Sequence, residues 1–248
     1  MRLFVVALMC ALTVGGAAAK DGDCMIAAGA GTPDFGLPRV AQAIAKKKLD
    51  ISVVGSASSE LNGPAGTNIA YPTRLEATLT SLLPGVAVKV STFARPRETA
   101  SEMENKLERI VADSKPALVI WQTGTADAIR GVDPDEFRVA LDAGVDVLQN
   151  AKADLVFMNM QYSPRTEAML AVGAYADAMR IVALQREAVL FDRFSIMKRW
   201  NENGVFDLYG ATRTTNVAER VHDCLGRLLA NMVVAGAKLT TAIKKDTH

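Results

Sequence analysis

Histidine is nearly missing from this chain: His222 and His248 are the only two in 248 residues, and cysteine occurs three times. With so few imidazole and thiol ligands, none of them at metal-ligand spacing, a metal centre built on Cys and His is not expected. There is no glycine-rich loop to cradle phosphate and no dinucleotide fingerprint, so no cofactor is expected either. An excess of one charge is lacking as well. The 28 basic and 27 acidic side chains balance, which leaves no electrostatic case for nucleic acid or an anionic membrane surface. The one basic run, Lys46-Lys47-Lys48, falls at a helix end, where cations suit the dipole. Internal repeats and low-complexity tracts are also missing.

What is present begins with a leader. Arg2, the apolar run Leu3 to Val14 and the small residues Gly15 to Ala19 form a secretory signal over residues 1–19, cut before Lys20 and too short to span a bilayer. Cys10 lies inside the apolar run with no small residue before it, which argues against a lipid anchor. The mature protein is expected outside the cytoplasm, with no integral membrane segment. Its two cysteines, Cys24 and Cys224, are then a disulfide candidate, the alternative being two free thiols. The remaining length suits one α/β domain. Residues 20–36 are expected to be irregular, 37–236 to form the domain and 237–248 a tail.

Leu49 to Glu60 organises the rest. The apolar run Ile51 to Val54 ends in Gly55 and a cluster of small residues, the pattern of a buried parallel strand delivering its carboxyl end to a tight turn. Further strands are expected at Val86 to Val90, Ala117 to Trp121, Leu155 to Met160 and Val189 to Phe191. Helices are expected between them, at Leu37 to Lys47, from Pro72 to Pro84, and at Arg97 to Asp113, Asp133 to Asn150 and Glu167 to Glu187. Two more follow, Ser195 to Asn201 and Val217 to Val234, while Leu61 to Ile69 reads as a loop. The alternation predicts a three-layer α/β/α fold with five parallel strands, Ile51 to Val54 central. Ligands bind such sheets at the carboxyl ends of the strands. The expected cleft therefore takes Gly55, Ser56 and Ser58 from the first turn, Gly124, Thr125 and Asp127 from the third, and Tyr162 from the fourth.

The segments resemble the SGNH, or GDSL-type, hydrolase family, especially its exported bacterial members, over about Leu37 to Ala230. The resemblance rests on Val54-Gly55-Ser56-Ala57-Ser58, Tyr71-Pro72-Thr73-Arg74-Leu75-Glu76 and Trp121-Gln122-Thr123-Gly124-Thr125-Ala126-Asp127. It continues through Arg130-Gly131-Val132-Asp133, Gln161-Tyr162-Ser163-Pro164-Arg165 and Cys224-Leu225-Gly226-Arg227-Leu228-Leu229-Ala230. It implies a flavodoxin-like fold, a bacterial periplasmic or secreted location, and ester hydrolysis by a serine, an oxyanion hole and a closing Asp-x-x-His.

Carried over by position, the site is replaced throughout. The nucleophile position is Ala57, the second-block glycine falls at Ala94, and the oxyanion asparagine is Ala126. The closing acid and base fall on Arg213 and Asn216. Alanine supplies neither a nucleophile nor an oxyanion donor, and an asparagine amide is no general base near neutral pH. Two readings follow. In the first the chain is a non-catalytic binding or accessory protein for carbohydrate, acylated glycan or a periplasmic protein. In the second, Ser56 or Ser58 with Glu219 and His222 forms a rebuilt esterase site.

Overall fold

A computed structural model describes residues 24–26, 29, 31–61, 66–209 and 215–246, with the backbone alone at 215 and 241–246. The expected leader and Arg213 lie outside the described residues. The first half of the chain runs α1 (Pro38–Ala45), β1 (Lys48–Gly55), a 3-10 turn (Ala57–Ser59), α2 (Gly66–Ile69), α3 (Tyr71–Leu82), β2 (Ala87–Ala94), α4 (Ala100–Ser114) and β3 (Leu118–Gln122). It continues through α5 (Thr125–Arg130), α6 (Pro134–Asn150), β4 (Asp154–Met158), α7 (Pro164–Met169), α8 (Val172–Gln185), β5 (Val189–Phe191), α9 (Arg193–Glu202) and α10 (Thr215–Asp246).

The strands form one all-parallel sheet in the order β2-β1-β3-β4-β5. Because successive side chains point to opposite faces, each inner strand feeds two cores. Leu49, Ile51, Val53, Leu118, Ile120, Val156 and Met158 enter one, with α1, α3 and α10. Val54, Val119, Trp121, Leu155 and Phe157 enter the other, with α4, α6 and α8. The inner strands are therefore buried on both faces, which is why they read as continuous apolar runs, whereas the edge strand β2 is only partly covered.

Several features differ from the sequence reading, among them the short helix α5, which was not expected. β1 is interior but second in the order; β3 occupies the middle, because β2 pairs on the far side of β1. The helix expected over Glu167 to Glu187 is two helices, since Leu170 takes an extended backbone (φ −128°, ψ 139°) between α7 and α8. One helical turn, α2, lies within the expected loop. α10 runs past Val234 and residue 236 to Asp246.

Cys24 and Cys224 are bonded, their Cα atoms 5.1 Å apart, which ties the segment before α1 to α10. Among the described residues no helix is long and apolar enough to cross a membrane.

Candidate functional site

The turn after β1 meets the end of β3 through one carboxamide. Gln122, the last residue of β3, is 1% exposed, and its Oε1 accepts from the Ser56 amide, the Ser58 hydroxyl and the Ser59 hydroxyl, each at 3.1 Å. Ser59 Oγ also lies 2.9 Å from the Tyr71 hydroxyl. Arg193, the first residue of α9, donates from Nη1 to Ser58 Oγ at 3.0 Å. The Tyr71 amide, at the start of α3, donates to His222 Nδ1 at 3.0 Å. Residues from five elements thus join in one buried polar cluster at the carboxyl end of the sheet.

Burial sets the charge of this cluster. It pushes the Tyr71 hydroxyl up to about 12, the Arg193 guanidinium down to about 10 and, with the Arg193 charge beside it, the His222 imidazole down to about 3. At neutral pH the tyrosine and histidine are uncharged and the arginine is cationic. A neutral imidazole that accepts at Nδ1 carries its proton on Nε2. It therefore offers no lone pair there with which to take a proton from a hydroxyl.

The positions compared with a hydrolase site fall as follows. Ala57 opens the 3-10 turn and is exposed. Ala94 ends β2 directly beside Gly55 in the sheet register. Ala126 is buried in the first turn of α5. That helix starts at Gly124, whose φ of 99° is a conformation only glycine adopts without strain. Asn216 is exposed near the start of α10.

The candidates for a rebuilt site do not pair with one another. Glu219 Oε1 accepts from Arg74 at 2.9 Å, His222 caps α3, and the Ser56 and Ser58 hydroxyls bond to Gln122 and Arg193. Among the described residues no serine hydroxyl is hydrogen-bonded to an imidazole.

Two expected cleft residues have other work. The Asp127 carboxylate is buried and accepts from the Ala100 amide at 2.9 and 3.2 Å, so it fixes the start of α4; burial pushes its pKa up. Tyr162 is 4% exposed and packs edge-on against Phe194, a core position. Thr125 does stand at the turn, and its buried Oγ1 has no partner.

The sequence reading missed the roles of Ser59, Tyr71, Gln122 and Arg193. Tyr71 and Gln122 lie inside segments that carried the family resemblance, and Arg193 follows β5 within two residues, where strand-end side chains belong to a site of this architecture. Among the described residues no group of three or more His, Cys, Asp or Glu gathers as metal ligands. A groove of about 430 Å³ lies at the opposite end of the sheet beside Phe35, Asp154 and Arg186. There Asp154 accepts the Arg39 and Val40 amides at 2.8 and 2.9 Å, capping α1, and burial pushes its carboxyl up to about 6.

A family model described as the non-GDSL lipase-like family matches residues 23–239. No curated protein matches the chain. Among solved structures it is similar to an acetyl-xylooligosaccharide esterase, Axe2, from Geobacillus, with 15% identity over 75% of this chain and 94% of that one and a TM-score of 0.61. It is similar to LAE5, an alpha/beta hydrolase enzyme from the metagenome of Lake Arreo, at 19% identity over 77% and 95% of the chains, TM-score 0.60. AlinE4, an SGNH-hydrolase family esterase, matches at 20% identity over 67% and 80%, TM-score 0.51. These likenesses establish the fold.

Proposed function

The chain belongs to the non-GDSL lipase-like family, and on that premise we propose that it is a non-catalytic member acting outside the cytoplasm, binding carbohydrate or acylated glycan at the carboxyl end of its sheet. The observation that carries the reading is the commitment of each serine hydroxyl of the β1 turn, and of the acceptor nitrogen of the neighbouring imidazole, to a partner other than one another. The serine hydroxyls serve Gln122, Tyr71 and Arg193, and the one imidazole accepts a helix amide. Acyl transfer needs a nucleophile paired to a base and donors aimed at the oxyanion; Ala57 and Ala126 stand where the family resemblance puts two of those groups. A disulfide suits an oxidising compartment. A structural neighbour named for acetylated xylo-oligosaccharides supports the ligand class.

The test is a purified mature sample offered short-chain nitrophenyl esters and a serine-directed phosphonate, with calorimetry against acetylated xylo-oligosaccharide. The expected outcome is hydrolysis at the buffer rate, no covalent adduct, and saturable glycan binding. Turnover abolished by Ser58→Ala or His222→Ala would overturn the reading in favour of a rebuilt serine esterase site.

A further inference from the structure

Arg193 breaks the ordinary rule for buried charge. Its side chain is 1% exposed, yet among the described residues no carboxylate pairs with it. Nη1 is used on Ser58, while Nε and Nη2 are buried with no partner. Those two atoms are neighbours on one edge of the guanidinium, and their N–H groups run parallel. That edge matches the two oxygens of a carboxylate in a bidentate pair.

The backbone on both sides of Arg193 is pinned. Asp192 Oδ1 accepts from Asn159 Nδ2 at 2.7 Å and from the Ser195 amide at 3.0 Å, and Asn159 Oδ1 accepts from the Phe194 amide at 2.9 Å. A fixed donor fork loses little freedom on binding, which is the condition for useful affinity from one contact. The fork itself is closed to solvent, so a ligand reaches it only by displacing part of its cover at the β1 turn. Ser58, its one partner, is half-buried, and the adjoining Ala57 is exposed at the mouth of the turn.

Charge balance selects the anion. Arg193 is the one charged group among the hydrogen-bonded partners Ser56, Ser58, Ser59, Tyr71, Gln122 and His222, so the cluster holds a single uncompensated positive charge. A monoanion neutralises it, whereas a dianion such as phosphate leaves an excess negative charge in a desolvated place. We infer that the Nε–Nη2 edge of Arg193 is the anchor for the carboxylate of an acidic ligand, and that the glycan bound here carries a uronic acid. The inference rests on the binding reading proposed above and narrows it.

The experiment offers the mature protein trigalacturonate, its methyl ester, acetate and inorganic phosphate, read by calorimetry and thermal shift. Trigalacturonate is expected to bind saturably. Methyl esterification and Arg193→Met should each weaken binding at least tenfold, and Arg193→Lys, which keeps the charge but loses the fork, should fall between. Without ligand, Arg193→Met should melt no lower than the parent, because it removes a buried unpaired charge. Acetate binding as tightly as trigalacturonate would keep the carboxylate anchor but overturn the uronic-acid assignment. The anchor is overturned if ester and acid bind alike to the unmodified protein, if phosphate binds better than either carboxylate, or if no carboxylate gives a saturable response. Methanol release from the ester would instead sink the non-catalytic reading, and the anchor would still be judged on the free acid.

Discussion

His222 is a capping residue for a helix to which it does not belong. Its ring satisfies the first amide of α3, one of the orphan donors of any helix start, and it does so only while neutral. An unfolded chain takes up a proton on this ring below about pH 6.5, but the buried ring resists until about pH 3. The unfolded state therefore binds more protons across that window, and stability contributed by His222 falls as pH drops through it, by about 1.4 kcal/mol per pH unit at the steepest. Asp154 acts with the opposite sign: its carboxyl, raised from 3.8 to about 6, favours the folded state at low pH and loses that contribution as pH rises through 6. Whole-protein stability mixes the two, so the measurement is a difference. Urea unfolding of the parent and of His222→Asn, whose side-chain oxygen can still accept from Tyr71, should show the parent losing about 3 kcal/mol relative to the variant between pH 7 and pH 4. A constant difference would mean that the ring is not a buried neutral acceptor. Among single residues the cysteine pair was legible, since residues 20–248 hold only two cysteines. Ala57 and Ala126 were singled out by the family resemblance alone. Gln122 and Arg193 gain their meaning from partners 64 and 135 positions away, which no local pattern records.

The start of α4 is held from inside and outside the helix. Thr99 and Glu102 form a reciprocal capping box, and Asp127, from the first turn of α5, takes the Ala100 amide that the box leaves over. Replacing Asp127 with alanine leaves that amide buried and unpaired, at a cost of about 1–3 kcal/mol. Asp127→Asn keeps an acceptor oxygen and should recover much of the loss. Chemical denaturation of the two variants decides this, and equal losses would show that the bond is not what the carboxylate supplies. Strands and their order of appearance were readable because strands buried on both faces are nearly all apolar, as β3 is. Asp127 was not, because a polar residue in a strand-end turn looks the same whether it faces a ligand or a neighbouring helix. The interruption between α7 and α8 was hidden for a related reason: apolar spacing continues across it while the backbone at Leu170 does not.

The Cys24–Cys224 bond closes a loop of 200 residues around nearly the whole described fold. On the chain-entropy account, restricting so long a loop in the unfolded state is worth ~5 kcal/mol, with residual unfolded structure reducing the effect. Reduction should lower the melting temperature clearly while leaving the native circular dichroism unchanged at room temperature. A melting temperature indifferent to reductant would contradict the bond. Near Cys224, α10 is locked lengthwise on α3 as a key sits in a slot. Gly226 lies so close to α3 that an added Cβ would come 2.5 Å from Arg74 Cβ and 2.9 Å from the Leu75 amide nitrogen. Glu219 grips Arg74, and His222, one turn before Gly226, grips Tyr71. These engagements fix the helix against sliding, so any push on α10 arrives at the polar cluster as a displacement of the Tyr71 ring. Gly226→Ala, expected to cost about 1–3 kcal/mol by overpacking, is then more than a stability variant: it is a way to move the cluster from a distance, visible as a change in tyrosine fluorescence without a substitution at the cluster.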